Sequence, residues 1–143
     1  MKKNWFISKI CYEKTAEDGK IEKVNEQYLF DAISFTEAEE RTIDEMKPFI
    51  SGEFSIEAVK KIRISEILFH PECEKWYRTK VNFVVLDEER GVEKKVPVTM
   101  FVQADDISQA IDFINHGMKG TMSDYIISSI QETDILAAYT YEE

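Results

Sequence analysis

Trp76-Tyr77-Arg78 carries the most pointed chemistry in this sequence. Aromatic faces can stack a nucleobase, and a guanidinium can hold a phosphate through two parallel N–H donors. The chain has four arginines, Arg41, Arg63, Arg78 and Arg90, so one beside two large aromatics marks a candidate ligand site. Arg63 is the second candidate cation, because it closes the strand expected late in the first half. Trp76 also has a plainer reading. It matches Trp5 of the first half and fits a core residue at the start of a strand.

Other chemistries find less support. His70-x-x-Cys73 has the spacing of half a zinc site, but a structural site needs four ligands. The remaining His and Cys are His116 and Cys11, so such a site requires the fold to gather all four. The expectation is no metal, with a histidine and a packed thiol in a linker. A Cys–His nucleophilic pair lacks any oxyanion-hole motif. The five glycines fall at turns and helix ends, and neither a phosphate-cradling loop nor a G-x-S-x-G elbow is present. Asp105-Asp106 and Asp87-Glu88-Glu89 read as a helix cap and a turn. The sequence therefore predicts no catalytic residue, no cofactor and no enzyme activity.

The elements that must position Trp76–Arg78 come in two sets. Thr99 to Met118 has a near-copy at Gln27 to Met46, and Ala32/Ala104, Ala38/Ala110 and Met46/Met118 share one spacing of 72 residues. In the first half, Trp5 to Glu13 alternates as a strand, Gly19 closes a polar turn, and Ile21 to Ala32 returns. Thr36 with Glu39 reads as a capping box for a helix that stops before Pro48. A run from Phe54 to Leu68 follows, with a bulge, or a bend in a continuing strand, expected at Lys60-Lys61. In the second half, Trp76 to Leu86 and Val92 to Ala104 form a hairpin, with Pro97 at an edge or bulge. Asp106 and Gln109 cap a helix, Gly117 and Gly120 end it, and Tyr125 to Leu136 is the last strand, with an exposed tail from Ala137.

The expected fold is α+β: a duplicated strand-strand-helix-strand unit related by a pseudo-twofold, giving six mostly antiparallel strands and two helices. Repeats 4–68 and 75–136, joined by a linker at 69–74, share one core in a single domain spanning 1–143.

The 143 residues carry 28 acids and 18 bases, for a net charge of −10. The acid excess falls in the second half. Duplex DNA, whose affinity comes largely from Lys and Arg on phosphates, is a poor partner for such a chain. With 43% hydrophobic residues there is ample material for a core, and no apolar run approaches the ~20 residues of a membrane helix. Two lysines near the start precede no long apolar centre, so no signal peptide is expected. Two distant cysteines do not make a disulfide scaffold, and a cytoplasmic protein is the expectation.

Trp5-Phe6, Tyr12-Glu13-Lys14, Asp18-Gly19-Lys20, Tyr28-Leu29, Asp31-Ala32, Ser34 to Glu39 and Glu45 to Pro48 together resemble a family of uncharacterised proteins of about this length from gut bacteria and their phages. The resemblance covers the first half well and the second loosely, and it carries no site. It implies a bacterial or phage cytosolic origin, and a phage origin would point towards proteins that interfere with host defence. Three functions follow from sequence and resemblance together. The first is a non-enzymatic protein sequestering a small anionic, nucleotide-type ligand on Trp76, Tyr77, Arg78 and Arg63. The second is an acidic protein-interaction module or DNA mimic, against which the dispersed pattern of acids argues, and the third a single-strand nucleic-acid binder, against which the net charge argues. The pseudo-twofold also admits a homodimer.

Overall fold

The structure, a computed structural model, describes residues 4–140. It contains eight strands and two helices, arranged as two mixed four-stranded sheets. The described residues gather into two compact units. One runs to Arg63 and resumes at Asp134; the other is Ile64–Thr133.

In the first unit, β1 (Asn4–Thr15) and β2 (Ile21–Ala32) form the expected hairpin, with Phe6 opposite Phe30 and Ile10 opposite Glu26. Gly19 takes φ +83° in its turn, which glycine alone adopts at no steric cost. Helix α1 (Phe35–Met46) starts two residues earlier than Thr36 would place it. Ser34 has the extended backbone of a cap, and its hydroxyl accepts from the Glu37 N–H at 3.1 Å. Ala38, Thr42 and Met46 of α1 are buried. The Thr42 hydroxyl, 2.7 Å from Ser8 Oγ and 2.7 Å from the Ala38 carbonyl it donates to, satisfies the one polar pair on that stripe. Strand β3 (Phe54–Ile62) pairs with the other edge of β1.

In the second unit, β4 (Glu66–Leu68), β5 (Lys75–Asp87), β6 (Val92–Ala104) and β7 (Asp124–Glu132) form a sheet ordered β4-β6-β5-β7, with α2 (Ile107–Gly117) on one face. The Asp106 cap holds, its carboxylate accepting from Gln109 N–H at 2.7 Å. Tyr77, Val81, Met100, Val102, Ala104, Ala110, Ile114 and Met118 make the core on that face. Pro97 lies opposite Asn82, on a stretch of β6 that β4 does not reach, where no ladder donor is required.

The expectation of six strands is corrected to eight. Arg63 to Ser65 breaks the run after β3, and β4 then pairs parallel to β6. At the far end Thr133-Asp134 breaks the run after β7. Strand β8 (Ile135–Tyr139) takes in the end of the expected last strand and continues into what was expected to be an exposed tail from Ala137. It pairs parallel to β2 in the first sheet, where Ile135 is buried and Tyr139 stacks on Phe30 at 5.0 Å. Residues 141–143 of that tail lie outside the described residues. The bulge expected at Lys60-Lys61 lies earlier: β1 is in register with β3 up to Lys9–Ala58 and resumes at Ile10–Ile56, leaving Glu57 as the extra residue. A matching shift separates Lys80–Ser129 from Val81–Ile127, with Ser128 extra.

Ile114→Ala should destabilise the protein by about 2–5 kcal/mol in chemical denaturation, whereas Glu40→Ala on the exposed face of α1 should stay within about 0.5 kcal/mol. A second expectation concerns pH. Burial first, then the charge of Glu26 and the hydrogen bond to it at 3.2 Å, push the Tyr28 phenol above its ordinary value. The folded protein keeps that proton where the unfolded chain loses it, so this stabilisation is complete below about pH 10 and declines as pH rises further. The melting temperature should fall between about pH 10 and 11, and Tyr28→Phe should make that fall shallower.

Candidate anion-binding face

Strand β5 alternates its side chains across the second sheet. Tyr77, Thr79 and Val81 go to the α2 face, where all three are buried and Thr79 Oγ1 donates to the Met100 carbonyl at 2.9 Å. Burial raises the Tyr77 phenol pKa above its ordinary value. Trp76, Arg78 and Lys80 go to the opposite face. There Arg78 lies between Phe101 and Gln131, and Lys80 between Thr99 and Ser129. Direct cross-strand neighbours stand roughly 4.5–5.5 Å apart at Cβ. The two rows therefore set a guanidinium, an ammonium, two hydroxyls and an amide side by side, with no carboxylate among them. Arg78, Lys80, Ser129 and Gln131 are exposed. Among the described residues neither Arg78 nor Lys80 has an ion-pair partner, whereas Lys9, Arg41 and Lys75 are paired with Glu57, Asp31 and Glu132.

Of the four sequence-derived candidates, Arg78 alone is exposed on this face. Trp76 and Tyr77 are 1% and 2% exposed and on opposite faces, so neither offers a ring to a ligand; both are core residues. Arg63 follows β3 in the first unit and is not brought into the Arg78 and Lys80 rows. The exposed ring is Phe69, 43% accessible, which packs edge-on against Trp76 at 5.6 Å and so flanks the Arg78 row.

Residues 69–74, expected as a linker, form an ordered segment of the second unit. Gln103, opposite Trp76, holds it at two points: its Oε1 accepts from His70 N–H at 3.0 Å and its Nε2 donates to the Cys73 carbonyl at 2.9 Å. Asp105 accepts from Glu74 N–H at 3.1 Å. The His70 ring stacks on Phe113 at 3.5 Å. Burial, then the charges of Asp105 and Glu72, hold the Cys73 thiol above its ordinary pKa, opposite to what a nucleophile needs. Cys11 belongs to the first unit, and no three metal-ligating side chains gather among the described residues.

Lys80, Thr99, Ser129 and Gln131 were not singled out from sequence. The period-two pattern of β5 would have paired Lys80 with Arg78, but Thr99, Ser129 and Gln131 need the strand register. In the first sheet, positions set equivalently about the bulge carry Ile7, Lys9, Gln27, Ala58 and Lys60, and Lys9 is 3.8 Å from Glu57. The fold thus has no structural need for the Arg78 and Lys80 rows. A hollow of about 590 Å3 in the first unit is lined by Glu13, Glu53 and Glu57 with Lys23, the wrong sign for an anion. No helix among the described residues is long and apolar enough to cross a membrane.

A family model described as a domain of unknown function matches residues 4–141. No curated protein matches the chain.

Gln103→Ala should speed hydrogen exchange at the His70 amide at least tenfold and cost about 1–3 kcal/mol, since it leaves a donor and an acceptor unmet. Unchanged protection at His70 would show that something other than Gln103 holds the segment.

Proposed function

The chain belongs to the domain-of-unknown-function family DUF4494, and we propose that it is a non-enzymatic binding protein for a small nucleotide-type anion, held by Phe69, Arg78, Lys80, Thr99, Ser129 and Gln131. The observation that carries this reading is a pair of cations on adjacent rows of one sheet face with no ion-pair partner among the described residues, in a protein of net charge −10. An acidic chain that leaves two cations unpaired between hydroxyls and an amide keeps their hydrogen-bonding capacity for something anionic. Arg78 takes a phosphate bidentately, Lys80 adds a point charge, Thr99 and Ser129 donate from either side, and Phe69 receives the base. The long-range field of the chain opposes anions, but screening over about 10 Å at 0.1 M salt confines that penalty and leaves local contacts to decide.

The shared order β3-β1-β2-β8 and β7-β5-β6-β4, with bulges at Glu57 and Ser128, is the pattern of a duplicated unit. In that reading one copy kept a paired lysine while the other gained the free cations. Binding without turnover suits sequestration. A phage-borne member of the family would use it to withdraw a nucleotide signal from host defence.

Titration calorimetry with AMP tests the site. A charged hydrogen bond contributes roughly 1.5–3 kcal/mol, so Arg78→Ala should weaken binding about ten- to a hundredfold. Its melting temperature without ligand should match the parent's, because Arg78 is exposed. A variant that binds AMP as the parent does, or that unfolds readily on its own, refutes the assignment.

A further inference from the structure

The cations of this face continue beyond the two rows that hold a small ligand. Lys95 lies opposite Val84 on β6, the face shared with Arg78 and Lys80; Asp124 flanks Val84 on its other side and Glu93 lies two residues away along β6, yet Lys95 too is exposed with no ion-pair partner among the described residues. Strands advance roughly 3.3 Å per residue, so Arg78 and Lys80 are about 7 Å apart along β5 and the row of Lys95 is about 20 Å from Arg78. That exceeds the reach of one phosphate group held at Arg78. The residues between are also suited to a chain passing over them: Asn82 offers an amide, and Pro97 and Ile126 beside it present no charge. Phe69, at the opposite end of the line, is the exposed ring.

We infer that the ligand of this face is a segment of single-stranded nucleic acid lying along β5, with a base on Phe69 and successive phosphates on Arg78, Lys80 and, at the far end, Lys95. The inference rests on the proposed nucleotide-type site and extends it from one nucleotide to several. A row of cations with an aromatic platform at one end is how sequence-tolerant single-strand binders divide the work, stacking for the bases and charge for the backbone. A duplex is disfavoured: its bases are already stacked and cannot settle on Phe69. A lone nucleotide is the smaller guest, and it makes no use of Lys95.

The test measures anisotropy of a fluorescein-labelled oligothymidylate about twelve nucleotides long, from about 50 to 200 mM salt, alongside calorimetry with AMP. Three phosphate contacts predict a log–log salt slope near −2, since each contributes about −0.7 on a single strand. Lys95→Ala should flatten the slope by about 0.7 and weaken the oligonucleotide while leaving AMP affinity unchanged. Phe69→Ala should weaken both ligands roughly five- to a hundredfold. If Lys95→Ala binds the oligonucleotide with the parent's affinity and slope while AMP still binds, the extended strand is wrong and the small-ligand site stands. If inorganic polyphosphate binds as well as the oligonucleotide and Phe69→Ala changes neither, the face is a generic polyanion surface and the inference falls. If neither AMP nor the oligonucleotide binds, both readings fall together.

Discussion

The packing of α2 against one side of the β5–β6 hairpin is the constraint on which the rest of the second unit depends. It requires close approach, and Ala104 and Ala110 supply it, both fully buried with no side chain beyond Cβ. Leu68 of β4 reaches the end of the same helix, where a Cβ on Gly117 would stand 3.6 Å from its nearest methyl. Once the helix covers Tyr77, Thr79 and Val81, the alternation of β5 leaves Arg78 and Lys80 no choice of face. The cations are exposed because their neighbours in sequence are buried.

The same packing organises the segment before β5. Asp106 caps α2, and Gln109 in its first turn accepts from the Asp105 N–H at 2.7 Å. Asp105 in turn holds Glu74, while Gln103 holds His70 and Cys73. Phe69 is therefore placed by hydrogen bonds running back to the start of a helix. Trp76 beneath Phe69 supplies area, although its Nε1 is buried with no hydrogen-bond partner among the described residues.

Electrostatics separates the two sheets more clearly than their backbones do. In the first, Arg41 bonds both the backbone oxygen and the carboxylate of Asp31 and lies over Phe30 at 5.7 Å, and Lys9 has Glu57. These bases are spent within the fold, and a partly buried pair of that kind is costly to break from one side. In the second sheet the corresponding stretch of β5 carries charges with no ion-pair partner among the described residues, and its neighbours carry hydroxyls. Two sheets with one strand order can thus differ in what they present to a ligand, because backbone pairing does not read the identity of outward-facing side chains.

The sequence by itself determined the two helices, the paired hairpins, the Asp106 cap and the recurrence of buried alanine and methionine. Each depends on residues within one turn or one strand, where propensity and periodicity act locally. It singled out Arg78 as a candidate, and the structure leaves that side chain exposed, since a charge on an alternating strand has a definite face. Local pattern misled over Trp76 and Tyr77: three adjacent residues read as one site, although in a strand neighbours point apart and only the tertiary structure decides which face is covered. It also made residues 69–74 a linker and the residues from Ala137 onward a tail. Strands β4 and β8 are three and five residues long, too short to show a period, and they exist because distant strands offer them free edges. Thr99, Ser129 and Gln131 met Arg78 and Lys80 only through register. Register is fixed by hydrogen bonds between strands tens of residues apart, and no local signal in the sequence carries it.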